Sequence, residues 1–326
     1  MIKAVWLGLI LVAASLVAYG QEATTDFASL LRQFDYDRNA PIDVREVGRE
    51  QRGDVTIIDL TYASPRGGRV PAYLVVPSGH GPFAAILFGH WMMPGSPFKN
   101  RREFLDEAIV LAKSGAISLL IDTPQVRPGF VAEKDEMRKA VQDSEVARQQ
   151  AIDFRRGLDL LTARPDVDHK RIAYVGHSFD AHVGGILSGV EKRIGSFVLM
   201  TGSFADEEYV FDPENAEMLK VRERIGEEKL RAFFKNYAWD DPSHFISHNA
   251  PAAVFLQFGR QDKPITEKMA RHYYEMFAEP KKIAFYDAGH PLNAEARVER
   301  DLWLAERLSL PRPVDKAALA RIPELK

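Results

Sequence analysis

An α/β fold, with a mostly parallel central sheet and helices on both faces, is predicted from three features of this 326-residue chain. After two opening strands, short apolar segments alternate with longer amphipathic ones, which is typical of parallel strands joined by helices. The segments Phe83–Phe88 and Ala116–Ile121 are apolar throughout, as strands buried on both faces are. Residues 203–250, rich in charged and aromatic side chains, interrupt the alternation and predict a small helical cap.

Hydrophobic periodicity assigns the elements in chain order. Residues 21–52 are interpreted as an N-terminal arm with one short helix at Phe27–Phe34, residues 53–310 as the α/β domain and residues 311–326 as a C-terminal tail. The predicted strands are Val55–Tyr62, Arg69–Val76, Phe83–Phe88, Ala116–Ile121, Ile172–Val175, Ser196–Met200, Ala252–Phe258 and Lys282–Phe285. The predicted helices are Arg101–Ser114, Glu133–Ala163, one that begins at Ser178, Glu267–Phe277 and Ala294–Leu308.

Residues 1–20 have the layout of a cleavable secretory signal. Lys3 supplies a positive charge, Ala4–Ala18 is uncharged and almost wholly apolar, and Ala18 and Gly20 are small residues before the expected cleavage point. The apolar run is shorter than the roughly 20 residues that a membrane-spanning helix needs. We therefore expect a secreted or periplasmic protein with no stable membrane anchor after cleavage.

Composition excludes several classes of function. Apolar residues make up 46% of the chain and charged residues 27%, and the formal net charge is -3, so nucleic acid is not an expected partner. The chain has no cysteine, which excludes a catalytic thiol, a disulfide and a Cys-ligated zinc. The histidines at 90, 177 and 182 are a weak indication of a metal site, so no metal or cofactor is expected. Nothing in the sequence specifies the oligomeric state.

The sharpest local pattern is the segment Ala173–Ala181, in which a strand runs through Gly176, His177 and Ser178 into a helix. Such a strained turn lifts a serine hydroxyl off the edge of the sheet, and the helix behind it offers unpaired N–H groups to an oxyanion. A plain turn with Ser178 as a helix N-cap is the alternative. The strand before Ser178 and the helix after it favour the interpretation of Ser178 as a nucleophile.

A serine nucleophile needs a base that a third group orients. His290 directly follows the strand Lys282–Phe285, and Asp262 directly follows the strand Ala252–Phe258. Because the carboxyl ends of parallel strands lie at one edge of the sheet, both side chains are expected beside Ser178, in the chain order Ser, acid, His. The rival acids are Asp122, Asp287 and the pair Asp240 and Asp241.

An oxyanion hole needs two donors. The first is expected to be the backbone N–H of Phe179, which follows the nucleophile. For the second we favour the N–H of Trp91, in the loop after strand Phe83–Phe88, with His90 and Met92 as near alternatives. The residues expected to contact the substrate are His90, His177 and, in the cap, Trp239; His177 is also expected to pack beside the nucleophile.

The segments GRVPAYLVVP, FGH, GHS, GRQD and AGH together resemble the dienelactone hydrolase-like and acetyl xylan esterase-like branch of the α/β-hydrolases, over about residues 53–309. The resemblance implies an α/β-hydrolase fold and a serine or cysteine hydrolase of esters or lactones, with Ser178 as nucleophile and Asp262 and His290 as acid and base. Two residues depart from the pattern. Asp180 stands at the second glycine of Gly-x-Ser-x-Gly, and Trp91 stands where a glycine often follows the histidine.

The function expected from the sequence is hydrolysis of a small carboxylic ester or lactone through an acyl-enzyme. A peptidase or aminoacyl amidase on the same fold is an alternative, although serine peptidases with this order of catalytic residues usually carry a further large domain. The other alternative is a catalytically inactive hydrolase-fold protein that binds ligands. Asp180, in place of the usual glycine, is the feature that supports this alternative.

Overall fold

One sheet of nine strands organises the part of the protein that the computed structural model describes, residues 26–202, 206–263 and 265–325. The expected signal, residues 1–20, lies outside the described residues. The strands are β1 Arg45–Arg52, β2 Val55–Ala63, β3 Arg69–Val76, β4 Phe83–Gly89, β5 Ala116–Ile121, β6 Val167–His177, β7 Ser196–Met200, β8 Ala253–Gly259 and β9 Lys281–Tyr286. The predicted bounds of β3, β5 and β7 are confirmed.

The strand order is β1-β2-β3-β5-β4-β6-β7-β8-β9. The first three strands pair antiparallel, and β3 is antiparallel to β5. From β5 to β9 all neighbours are parallel, which confirms the mostly parallel sheet. The carboxyl ends of β4, β6, β8 and β9 therefore reach the same edge of the sheet, where the loops carrying Trp91, Ser178, Asp262 and His290 begin.

Helices connect the strands and cover the sheet. They are α1 Phe27–Arg32, α2 Leu105–Ser114, α3 Glu136–Thr162, α4 Phe179–Val190, α5 Asp206–Phe211, α6 Ala216–Ile225, α7 Glu227–Asn236, α8 Ser243–Ile246, α9 Glu267–Met276, α10 Ala294–Arg307 and α11 Lys316–Arg321. The helices α5 to α8 lie within the predicted cap insertion. No helix of the described residues is long and apolar enough to cross a membrane.

Two hydrophobic layers form the core, one on each face of the sheet. Alternate side chains of a strand point to opposite faces. Leu87 and Leu119 accordingly join the layer that contains α3, α4, α8 and α9, whereas Phe88 and Leu120 join the layer that contains α2, α10 and α11. Every residue of β4, β5 and β7 is buried, as the continuous apolar runs of these strands predict.

Both ends of the chain are more structured than the sequence predicted. Residues 45–52, assigned to the N-terminal arm, form the edge strand β1, and the predicted arm helix is shorter, at Phe27–Arg32. The predicted C-terminal tail contains α11, whose Leu319 is fully buried against α2 and α10. The strand β1 was missed because it is polar and almost wholly exposed, so it has no apolar alternation to reveal it.

Candidate active site

Ser178 sits in a strained turn between β6 and α4. Its backbone has φ 53° and ψ -109°, a left-handed region that non-glycine residues rarely adopt. Gly176 makes the turn possible, because a Cβ at that position would lie 2.2 Å from the backbone oxygen of Asp180. The N–H of Ser178 donates to the Met200 carbonyl of β7 at 2.8 Å. The strained turn from strand to helix that the sequence predicted at Ser178 is therefore present.

The hydroxyl of Ser178 lies 2.9 Å from His290 Nε2, and His290 Nδ1 lies 2.9 Å from Asp262 Oδ2. A carboxylate can only accept, so Nδ1 carries the proton and Nε2 presents its lone pair to the serine. The side chain of Asp262 is fully buried, and that of His290 is 13% exposed. The loops of acid and base are joined by the backbone hydrogen bond from Gln261 N–H to the Ala288 carbonyl, 2.9 Å.

The rival acids are engaged elsewhere. Asp122 accepts from the backbone N–H of Arg101 at 2.8 Å and pairs with its guanidinium. Asp287 accepts from Gln261 Nε2 at 2.6 Å on the surface. Asp240 pairs with His182 at 3.2 Å, and Asp241 caps the backbone of Ser243. Of the acids considered from the sequence, Asp262 alone is hydrogen-bonded to His290 in the part of the chain that the structure describes.

The expectation that Trp91 supplies the second oxyanion donor is wrong in this structure. Its N–H already donates to Glu103 Oε2 at 2.7 Å. The backbone N–H of His90 is close enough to the Asp180 carboxyl to lower its pKa. Among the described residues, no acceptor receives the N–H of Met92. Met92 therefore remains as the alternative candidate for the second oxyanion donor in this loop. Phe179, the first residue of α4, lines the cavity at Ser178, and the first N–H groups of a helix have no partner within it.

His90 is a structural residue rather than a substrate contact. It is 2% exposed, its Nδ1 donates to the Trp91 carbonyl at 2.8 Å, and its Nε2 accepts from the N–H of Thr123 at 3.0 Å. Burial lowers the pKa of His90 to about 4, so the ring is neutral at physiological pH. The imidazole thus ties the loop after β4 to the end of β5.

His177 and Trp239, the other two predicted substrate contacts, are also buried. His177 is fully buried and stacks between the rings of Trp91, at 5.0 Å, and His290, at 5.6 Å. It packs beside the nucleophile, as the sequence predicted. Trp239 is 7% exposed, and its ring packs under the guanidinium of Arg148, 4.5 Å away. Hydrophobicity suggested a pocket wall at Trp239, but the ring serves to dock the cap on α3.

A cavity of ≈ 330 Å³ opens at Ser178 and His290, between the sheet edge and the cap. Apart from those two residues, its titratable lining consists of Asp143, His182, Asp206 and Asp240. No lysine or arginine lines it among the residues that the structure describes. The volume suits one small molecule, and three of these four groups are carboxyls, which make this wall of the cavity acidic.

Two groups of this wall have displaced pKa values. Burial, together with the charges of Asp241 and Asp240, raises the pKa of Asp206 to about 8, against the lowering effect of His182. Burial alone lowers the pKa of His182, but attraction to Asp206 and Asp240 outweighs it and raises the pKa to about 9. At neutral pH the imidazolium of His182 therefore faces the carboxylate of Asp240.

Known structures show the same architecture. The acetyl xylan esterase from Paenibacillus sp. R4 superposes with a TM-score of 0.66, at 18% identity, over 86% of this chain and 92% of that one. Acetyl xylan esterase 1 from Thermoanaerobacterium sp. JW/SL YS485 gives a TM-score of 0.67, at 18% identity, over 88% and 94%. The alpha/beta hydrolase GrgF from Penicillium sp. sh18 gives 0.56, at 17% identity, over 81% and 100%.

This chain has the α/β-hydrolase fold. No family model matches the sequence. Among curated proteins, esterase FrsA of Escherichia fergusonii is 30% identical over 142 residues, which is 44% of this chain. That match covers 30% of the relative, so the chain spans less than a third of the length of the curated relatives it matches.

Asp180 is the unusual residue of this α/β-hydrolase fold, and it is fully buried. Gln150 Nε2 donates to its Oδ2 at 3.3 Å, and its Oδ1 has no hydrogen-bond partner among the described residues. Burial is the main cause that raises the pKa of Asp180 well above its usual range, which favours the protonated carboxyl. The buried acid does not displace the nucleophile turn.

Two residues beside the site were missed from the sequence. Glu103 binds Trp91 and His177, and Thr201 Oγ1 donates to the carbonyl of His290 at 3.0 Å. Thr201 directly follows β7, which was a usable signal, but Glu103 lies in an ordinary charged stretch. Within residues 26–202, 206–263 and 265–325, no group of three or more acidic or histidine side chains is arranged to hold a metal ion.

Proposed function

We propose that this protein hydrolyses small carboxylic esters through an acyl-enzyme on Ser178. The observation that carries the proposal is the hydrogen-bonded sequence from Ser178 to His290 to Asp262, with the serine in a strained turn at the start of α4. The esterase names of the relatives support this chemistry in general terms. Hydrolysis of a lactone belongs to the same reaction class, since a lactone is an internal ester.

In the proposed mechanism, Ser178 Oγ attacks the ester carbonyl while His290 Nε2 takes the hydroxyl proton. The buried carboxylate of Asp262 stabilises the imidazolium that forms. The developing oxyanion is bound by the N–H of Phe179 and, in place of Trp91, the N–H of Met92. The alcohol leaves with the proton from His290, and His290 then activates a water that releases the acid from Ser178.

Two alternatives are distinguished by their substrates. A peptidase or aminoacyl amidase uses the same three residues but turns over anilides, and an inactive binding protein turns over nothing. The small volume of the cavity, ≈ 330 Å³, favours a compact ester over a peptide. Ser178 also lies within hydrogen-bond distance of an oriented base, which is the arrangement that activates a nucleophile.

The test is hydrolysis of p-nitrophenyl acetate, butyrate and octanoate, and of the matching p-nitroanilides, by the protein and by Ser178→Ala. Turnover of esters that disappears in the variant, together with little turnover of anilides, supports the proposal. A well-folded protein that hydrolyses no ester and whose Ser178 does not react with a fluorophosphonate contradicts it. Octanoate is expected to be the poorest ester because the cavity is small.

We also propose that the activity is exported, on the basis of the apolar segment Ala4–Ala18. Mass spectrometry of the protein from the periplasmic or culture fraction tests this. A mature chain that begins near Gln21 supports export, and an intact N-terminus on protein confined to the cytosol contradicts it.

A further inference from the structure

Glu103 is a buried carboxylate at the back of the candidate active site. Its side chain is 1% exposed, in the segment just before α2. Its two oxygens bind different parts of the site: Oε2 accepts from the backbone N–H of Trp91 at 2.7 Å, and Oε1 lies 2.5 Å from His177 Nδ1. One side chain therefore holds the loop after β4 and the residue that precedes the nucleophile.

His177 extends this connection to the catalytic base. Its Nε2 lies 3.0 Å from the backbone carbonyl of His290, which also accepts from the hydroxyl of Thr201. The two imidazole rings are stacked at an interplanar angle of 28°. The chain of contacts from Glu103 thus ends on the main chain of the residue whose side chain activates Ser178.

The hydrogen bonds assign the protons of this pair. The carbonyl of His290 can only accept, so His177 Nε2 carries a proton. Glu103 also accepts a hydrogen bond from the N–H of Trp91, and one proton lies between Glu103 Oε1 and His177 Nδ1. Glu103 and His177 therefore form one buried hydrogen-bonded pair, which links the N–H of Trp91 to the carbonyl of His290.

We infer that Glu103 is a positioning residue that sets the oxyanion loop and the catalytic base in one geometry. The inference rests on the proposed function. Through Trp91, Glu103 fixes the loop that carries the next N–H, that of Met92, which we propose as the second oxyanion donor. Through His177, it fixes the backbone from which the His290 ring projects. A shift on the order of 1 Å in either group costs about 10²-fold in rate.

Two substitutions of Glu103 separate its hydrogen bonds from the carboxyl group itself. In Glu103→Gln, the amide oxygen still accepts from Trp91, and the amide nitrogen donates to a neutral His177 that keeps its Nε2 proton. Both hydrogen bonds are retained without the carboxyl group, so most of the wild-type kcat is expected to remain. In Glu103→Leu both contacts are lost, and kcat is expected to fall about 10²-fold with little change in KM.

Activity is measured per active site, because a destabilised variant also loses active protein. A fluorophosphonate counts the sites with a reactive Ser178, and kcat is divided by that number. A positioning role predicts a lower kcat per titrated site in Glu103→Leu. A wild-type kcat per titrated site, with only fewer sites, overturns the inference, and so does a Glu103→Gln variant as slow as Glu103→Leu.

A second variant covers the case in which Glu103→Leu does not fold. His177→Phe in the Glu103→Gln background keeps an aromatic ring between Trp91 and His290 and buries no charge, but it removes the donor to the His290 carbonyl. We expect kcat per titrated site to fall relative to Glu103→Gln alone. Equal values in these two proteins overturn the link through His177.

Glu191→Leu is the matched control. Glu191 is a buried glutamate, 3% exposed, that pairs with Arg155 and Arg193 at the far end of α4. Its loss removes a buried carboxylate of similar exposure and lowers stability, but it touches neither loop of the site. The kcat per titrated site of this variant is expected to equal that of the wild type.

Amide hydrogen exchange tests the positioning without any substrate. In the full-length protein, Glu103→Leu is expected to speed exchange in residues 89–93 and 288–292 together, whereas Glu191→Leu leaves both segments unchanged. Faster exchange in one segment or in neither overturns the inference. If the wild type neither hydrolyses esters nor reacts with the fluorophosphonate, the proposed function fails, and this exchange result still decides the role of Glu103.

Discussion

Asp180 occupies the space that a side chain on Gly89 would fill. A Cβ on Gly89 would lie 2.5 Å from the Cβ of Asp180 and 2.6 Å from its carboxyl carbon. Gly89 pairs with Gly176 across β4 and β6, so the first turn of α4 lies over two glycines on adjacent strands. The sequence places a carboxylate where a glycine is common in this fold, and the glycine that makes room for it stands on the neighbouring strand.

The close approach of Gly89 and Asp180 predicts that substitutions at the two positions have coupled effects on the free energy of unfolding. Gly89→Ala is expected to destabilise the protein by about 1–3 kcal/mol, as overpacking of a close contact does. In the Asp180→Gly background the same substitution is expected to cost less, because the opposing side chain is gone. Urea unfolding of the wild type, both single variants and the double variant measures the coupling energy.

Gly48→Ala is the control for that cycle. A Cβ on Gly48, in the edge strand β1, would meet nothing within 4 Å, so its effect on the free energy of unfolding is expected to lie within about 0.5 kcal/mol. If Gly89→Ala lowers the free energy of unfolding equally with and without Asp180, the close approach does not limit packing. The explanation of how Asp180 replaces a glycine is then wrong.

The buried carboxyl of Asp180 also predicts how stability changes with pH. Burial raises its pKa in the folded protein above the usual 3.8, so between the two values the folded state binds the extra proton. Stability from this group is therefore highest at acid pH and falls as pH rises above about 4. Asp180→Asn removes the titration, and its stability relative to the wild type is expected to increase from pH 4 to pH 8 in urea unfolding. A difference that stays constant across this range would mean that Asp180 ionises normally.

The sequence predicted most strands through their apolar character, and it predicted that Ser178, Asp262 and His290 come together through their place after strands. It failed where the deciding contact is distant in the chain. Trp91 was a reasonable candidate for the oxyanion donor from the sequence, but its N–H donates to Glu103, which lies on another segment. The strand β1 was missed because hydrogen bonding to β2, rather than burial, holds it in the sheet. Hydrophobicity placed Trp239 near the substrate, but only packing showed which way its ring faces.

The assignment of Asp262 as the orienting acid predicts a large and selective loss of rate. Asp262→Asn keeps the shape of the side chain but stabilises the wrong tautomer of His290, and kcat on p-nitrophenyl acetate is expected to fall about 10⁴-fold. Asp287→Asn, which alters an exposed acid in the His290 loop, is the control and is expected to retain wild-type activity. Full activity in Asp262→Asn would return the role to Asp122 or Asp287.

The acidic wall of the cavity predicts a preference among substrates that changes with pH. Asp206 loses its proton near pH 8 and His182 near pH 9, so the cavity becomes more negative between pH 7 and pH 10. The kcat/KM of a cationic ester should increase relative to that of a neutral ester of the same shape. The increase is on the order of 1 kcal/mol, or about fivefold, for each proton that the cavity loses. Acetylthiocholine and its neutral isostere 3,3-dimethylbutyl thioacetate make the comparison.

The ratio of kcat/KM for these two thioesters is the quantity to measure, because a pH effect on the chemical step is common to both substrates and cancels. Rates in Ser178→Ala give the non-enzymatic background at high pH. The ratio is expected to rise in two steps. Asp206→Asn removes the step near pH 8 and moves the other to lower pH, because Asp206 raises the pKa of His182. His182→Gln removes the step near pH 9 and moves the other to higher pH, because His182 lowers the pKa of Asp206. A ratio that is the same at pH 7 and pH 10 would mean that these side chains do not face the bound alcohol, and the leaving group would then lie on the opposite side of Ser178 from Asp206.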